Sequence, residues 1–240
     1  MKTNSLMFLK QLNKFSKNLF DFTLMFLAVV SAFLLNDWKD SKKSEVQEEK
    51  ILIEINKGLE LDKEQLKQFI YSDSVGIEAA IYFKKLITEK NKKAEGKFPI
   101  QQLLLTTKDL LVLNVSGYES LKENGVEIID NDELRNKVIL LYEYYLKMCL
   151  ESEDKSPENQ LHQNYFFRIS DILSKDFIYS KKGELLDIKH PLSLSVNDKN
   201  KLLLYMDKII MVRNLSMHYK KLALHHLQDV RSEINKKLEN

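Results

Sequence analysis

At 240 residues and 28.2 kDa, with 44% hydrophobic and 30% charged residues, the chain is long enough to bury a core and too apolar to be disordered throughout. Six glycines and three prolines leave little punctuation for an all-β fold, so helix is the expectation. The 37 basic and 35 acidic residues nearly cancel, and Arg135, Arg168, Arg213 and Arg231 are the only arginines, so the chain has neither the field nor the guanidinium forks that favour nucleic acid as a partner.

The chain opens with a basic stretch, 1–18, in which Lys2, Lys10, Lys14 and Lys17 alternate with Leu6, Phe8, Leu9, Leu12 and Phe15. It reads as a cytoplasmic tail or an interfacial helix. An apolar run follows, with Phe22, Leu24, Phe26, Leu27, Val29, Val30, Phe33 and Leu35 as its large members and only Thr23 and Ser31 polar. With its flanks, 19–38, it reaches roughly the 20 residues that a helix needs to cross hydrocarbon. Val30-Ser31-Ala32 resembles a signal-peptidase site, yet the apolar run continues past it through Leu35, which favours a retained anchor. Asp21 falls at one mouth of the span and Trp38 in the aromatic belt at the other. The four upstream lysines have no acid beside them, so the expected orientation is N-in. The C-terminal domain would then lie outside the cytoplasm, in the periplasm of a double-membraned bacterium.

From 39 to 95 the spacing of Leu52, Ile55, Leu59, Leu66, Phe69 and Ile70 predicts a long stalk helix, with a cap or kink near Ser72-Asp73-Ser74 and Gly76. A polar loop is expected at Lys90–Gly96, and the leucine-rich 100–113 reads as a short helix followed by an extended piece. Ser116 to Arg135 reads as a short helix stopped by Gly125, an extended Val126–Ile129, and a new helix capped by Asp130 or Asn131. That helix continues through Val138, Leu141, Tyr142, Leu146 and Cys149; the lone cysteine excludes an intramolecular disulfide and reads as a small buried hydrophobe. Ser156 and Pro157 mark the start of a further helix, Lys181-Lys182-Gly183 ends that region, and Lys189-His190-Pro191 reads as loop. A second long helix spans about 197–238, and a helix of that length with one apolar stripe needs a partner. The stalk is the one of comparable length, so antiparallel pairing is expected. The fold class predicted is all-α: an N-terminal transmembrane helix and an elongated antiparallel helical bundle with two long helices, the last packing back from the domain 96–240 onto the stalk.

Asn36-Asp37-Trp38 at the exit of the span, Gly117-Tyr118-Glu119-Ser120-Leu121-Lys122, Gly125, and Asn131-Asp132-Glu133-Leu134-Arg135 together resemble a bacterial family of unknown function. Its members are single-span membrane proteins with a lysine-rich start, an Asn-Asn-Trp-like exit, a long charged helix and a helical domain. The family commonly has a glutamine shortly before the tryptophan, where this chain has Leu34 and Leu35. The resemblance implies architecture and no activity.

Chemistry-bearing constellations are sparse. His218, His225, His226 and Asp229 share a helix face by spacing and are the best metal candidates, without the glutamate of a His-Glu-x-x-His motif. No nucleophile elbow, phosphate loop or dinucleotide fingerprint occurs, so neither an enzyme nor a cofactor is expected. Tyr118, Glu119, Lys122, Asp132 and Arg135 form the charged set to watch, as a docking surface or as ion pairs that fix a helix junction. The expectation is a noncatalytic scaffold of the cell envelope, with the bilayer and another envelope protein or a second copy as partners. A small-ligand sensor acting through a partner is the alternative.

Overall fold

The computed structural model is predominantly helical and describes residues 2–89, 93–108, 110–154 and 160–239, with side chains described from Phe22 onward except at 153–154. The side chains of the basic tail and of Asp21, the residues 90–92 of the polar loop, and the Ser156 cap with Pro157 lie outside the described residues. Two compact units divide the chain, Met1–Lys50 and Ile51–Asn240. The first helix, α1 (Lys2–Thr88), contributes to both.

In the first unit every described side chain from Phe22 to Leu35 is exposed except Val30, which is half-buried. Phe22 is 67% exposed, Phe33 75% and Trp38 64%. The helix is long and apolar enough to cross a membrane. Beyond the apolar run, Asn36 Nδ2 donates to Asp40 Oδ2 at 3.0 Å and Lys42 pairs with Glu45 along the helix.

The second unit is built on the remainder of α1 and on α7 (Val196–Glu239). Between them, in chain order, come α2 (Phe98–Thr106), α3 (Ser116–Asn124), a 3-10 turn (Val126–Ile128), α4 (Asp132–Leu140) and α5 (Lys147–Asp154). A wider π turn, Leu141–Leu146, joins α4 to α5, and α6 (Phe167–Leu173) precedes two short strands, β1 (Phe177–Tyr179) and β2 (Leu185–Ile188). The strands pair antiparallel, Phe177 opposite Ile188, with an irregularity at Tyr179. The all-α expectation holds, with this one short hairpin added for a local reason: Gly183 takes φ +83°, and Ser180 closes the turn through Glu184 and Gly183. The stretch expected to be extended after Gly125 is instead a 3-10 turn.

A seam of buried positions runs along α1 at 52, 55, 59, 62, 66, 69, 73, 76, 80, 83 and 87, with 48, 51, 79 and 86 also buried, and along α7 at 202, 206, 209, 213, 216, 220, 223, 227, 230 and 234, with 212 also buried. Three and four alternate in both runs, which keeps one seam of each helix facing inward. Cross-helix bonds give the direction. Asn56 donates to Asn235 at 2.7 Å, Lys220 to Asp73 at 2.8 Å and Lys84 to Asp207 at 2.5 Å, so α1 and α7 run antiparallel.

Two apolar cores lie along the pair. One gathers Leu52, Leu59 and Leu66 with Leu121, Leu134, Val138, Cys149, Leu227 and Ile234. The other gathers Phe83 and Leu86 with Phe98, Leu105, Leu161, Ile169, Ile188, Leu202 and Ile209. By position in both helices, residues 73–76 and 213–220 fall between the two cores.

Candidate functional site

The polar residues of the inward seam are the feature that sequence reading missed. Asp73, where a cap or kink was expected, sits inside the uninterrupted helix α1 and is 7% exposed. Its carboxylate takes Lys220 Nζ at 2.8 Å and Ser216 Oγ at 3.1 Å on Oδ2, and Arg213 Nη1 at 3.4 Å on Oδ1. All three donors come from α7 and are themselves buried. The Arg213 fork continues past Asp73. Its Nη2 donates to the carbonyls of Leu105 at 3.0 Å and Thr107 at 2.9 Å, capping the C-terminus of α2. Gly76 makes the passage possible, because a Cβ there would lie 2.4 Å from Arg213 Cζ.

About three turns earlier in α1, Asp62 is fully buried and accepts from the Asn114 backbone amide at 3.0 Å and from Asn114 Nδ2 at 2.7 Å. Burial pushes its carboxyl above the ordinary value, against the pull of those two donors. The signal was present in the sequence: Asp62, Asp73, Arg213, Ser216 and Lys220 continue the alternating three-and-four spacing of their apolar neighbours. A polar residue on such a seam selects register and partner at some cost in stability. Asp73 joins the three α7 donors and Arg213 joins the end of α2, so the layer ties α1, α2 and α7 together.

The charged set around the Gly-Tyr-Glu motif resolves into two local groups. Gly117 packs α3 onto α1 so tightly that a Cβ would stand 2.7 Å from Ile55 N. Tyr118 is buried, stacks on Tyr142 at 4.4 Å and donates to Glu143 Oε1 at 3.1 Å. Desolvation and Glu143 push its phenol up to about 12. Lys122 pairs with Glu119 at 2.8 Å and lies 5.1 Å from the Tyr118 ring centroid. The second group is a helix start. Asn131 accepts from Leu134 N at 2.9 Å, while Arg135 pairs with Asp132 and donates to Ile129 O at 2.8 Å. Both groups explain the motif as junction chemistry: a close approach, a stacked tyrosine, a left-handed stop at Gly125 (φ +90°) and a cap.

The histidines do not converge. His225 reaches Asp229 at 3.5 Å, both exposed, whereas His226 turns away to stack on Tyr145 at 3.7 Å, and His218 lies exposed near Tyr219. Among the described residues no group of three or more His, Cys, Asp or Glu is placed to hold a metal ion. Desolvation, then His225, lower the His226 imidazole from its ordinary value, with Asp229 opposing.

Two surface clefts of about 410 and 630 Å³ flank the His190–Pro191 peptide, where His190 Nε2 meets Leu86 O at 3.2 Å near the end of α1. Their charged linings, Glu89 and Lys199 in one and Lys93, Glu95, Asp187 and Lys189 in the other, mix both signs. They give no single-sign recognition of a charged ligand. No family model, curated protein or solved structure matches the chain.

Proposed function

We propose that the chain is a noncatalytic, membrane-anchored scaffold whose helical body engages another component of the cell envelope. One observation carries the reading: a helix that leaves the large apolar side chains of residues 22–35 exposed. At roughly 25 cal/mol per Å² of apolar surface, leaving such a run in water costs many kcal/mol, and lipid removes the cost. The lysines before the run and Trp38 after it favour residues 19–38 as a single span with the N-terminus in the cytoplasm. On this reading the second unit is an antiparallel helical bundle outside the cytoplasm, in keeping with the layout of the family that the Gly-Tyr-Glu and Asn-Asp-Trp motifs resemble. The buried polar layer that ties α1, α2 and α7 together supports a body that holds a shape for a partner.

Membrane fractions washed with alkaline carbonate test the anchor. The chain is expected to stay in the pellet, and its release to the supernatant would overturn the reading. Fusions at Asn240 test the orientation. A phosphatase active only outside the cytoplasm is expected to work there, and a fluorescent protein that folds only inside is expected to stay dark. The reverse pattern would move the body to the cytoplasm.

A further inference from the structure

Two buried charges hold the two ends of the segment between α2 and α3. At its start Arg213 holds the Leu105 and Thr107 carbonyls. At its end Asp62 holds the Asn114 amide and side chain. Between the two, Leu111 is buried while Leu110 is 77% and Val112 59% exposed, the alternation of a strand lying on a core. Among the described residues, the backbone amides and carbonyls of Leu110 to Leu113 have no hydrogen-bond partner. The sequence Leu110-Leu-Val-Leu-Asn-Val115 contains no charge, proline or glycine, in a chain that is 30% charged. Exposed strand edges are ordinarily blunted by lysine, proline or a bulge, and this one is left open.

We propose that residues 110–113 are a docking edge that pairs antiparallel with the same segment of a second copy of the chain. Antiparallel pairing about a twofold axis is self-complementary: each copy offers the free backbone and the uncharged outer face that the other needs. A charged partner strand would instead bury unpaired charge against Leu110 and Val112. The contact is small. A strand of this length covers a few hundred Å² per copy, below the roughly 800 Å² per partner of a stable soluble dimer. Such an edge suffices where both copies share one membrane and the effective concentration reaches about the millimolar range. For that concentration alone, the inference rests on the membrane-anchored reading.

The test is oxidative crosslinking of the full chain in native membranes. Leu110→Cys and Val112→Cys place thiols on the exposed face, Phe167→Cys and Leu204→Cys serve as exposed controls elsewhere, and the parent chain with its buried Cys149 is the blank. At least one of the two edge positions is expected to give a product of twice the chain's mass, severalfold above the controls. Adding Val112→Pro to Leu110→Cys, which deletes one donor, is expected to abolish that product. Crosslinking no greater than at the controls, or a product with a chain of another mass and no self-dimer, would overturn the proposal. Carbonate extraction of the same membranes separates the two readings. An integral chain without crosslinks overturns the edge alone, and a carbonate-soluble chain that still crosslinks overturns the anchor alone.

Discussion

Gly76 of α1 and Arg213 of α7 touch so closely that a methyl group on the glycine would lie 2.4 Å from the guanidinium carbon. Ordinarily, Gly→Ala within a helix stabilises by about 1 kcal/mol. Here the far end of Arg213 has nowhere to retreat, being fixed by Asp73 and by the Leu105 and Thr107 carbonyls. Gly76→Ala is therefore expected to destabilise, by about 1–3 kcal/mol as overpacking does. Denaturant unfolding of the detergent-solubilised chain reads the sign, and a gain in stability would refute the account.

Removing Asp73 takes a carboxylate away from two buried cations. Asp73→Leu is expected to cost about 3–5 kcal/mol, the usual penalty for breaking a buried pair from one side. Replacing all the charges together, as Asp73→Leu with Arg213→Met and Lys220→Met, should recover much of that loss. If the triple variant proves no more stable than the single one, charge desolvation is not the dominant cost.

Much of this was legible in the sequence, and the reason is periodicity. α7 was expected at about 197–238 and spans Val196–Glu239, and Gly125 stops α3 where a left-handed residue was anticipated. Cys149 is buried as its apolar neighbours implied. The polar layer stayed hidden because Asp73 stands between two serines, a local pattern that also describes a helix cap. What decides its role is Arg213, 140 residues away. The hairpin was missed for the opposite reason. Its strands have only three and four residues, too short for a period-two pattern to show.

Gly117→Ala tests the Gly-Tyr-Glu motif. The built methyl would meet the backbone nitrogen of Ile55, which a rotamer change cannot move. A loss of about 2 kcal/mol or more is expected. Ser120→Ala on the same helix, which adds no atom, should stay within about 0.5 kcal/mol. Equal effects of the two substitutions would remove close packing as the reason for the glycine.

The raised carboxyl of Asp62 gives a signed pH dependence. Folded protein holds its proton above 3.8, the value for the free group, so between 3.8 and the raised folded value the native state binds more protons than the unfolded. Stability from this residue therefore falls as pH rises through that window. Asp62→Asn keeps an acceptor for Asn114 and removes the titration, so its stability relative to the parent should increase from about pH 4 to about pH 7. A difference that is flat or shrinks with pH would contradict this.

His226 runs the other way. Its imidazole is held below 6.5, so as pH falls through 6.5 the unfolded chain takes up the proton first and stability drops, until the depressed folded value is passed. His226→Phe preserves stacking on Tyr145 and should lose that component of the acid sensitivity between about pH 7 and about pH 5. Unfolding midpoints across that range measure it, and parallel profiles for the two chains would rule it out.

The hairpin after α6 also has a practical meaning. Its tip, Lys181-Lys182-Gly183, is exposed, and the Ser180–Glu184 turn is closed by its own backbone bonds. Added sequence there need cross neither core. An epitope or fluorescent domain inserted between Lys182 and Gly183 would report on the body from a site outside both long helices, leaving the chain's own termini untouched.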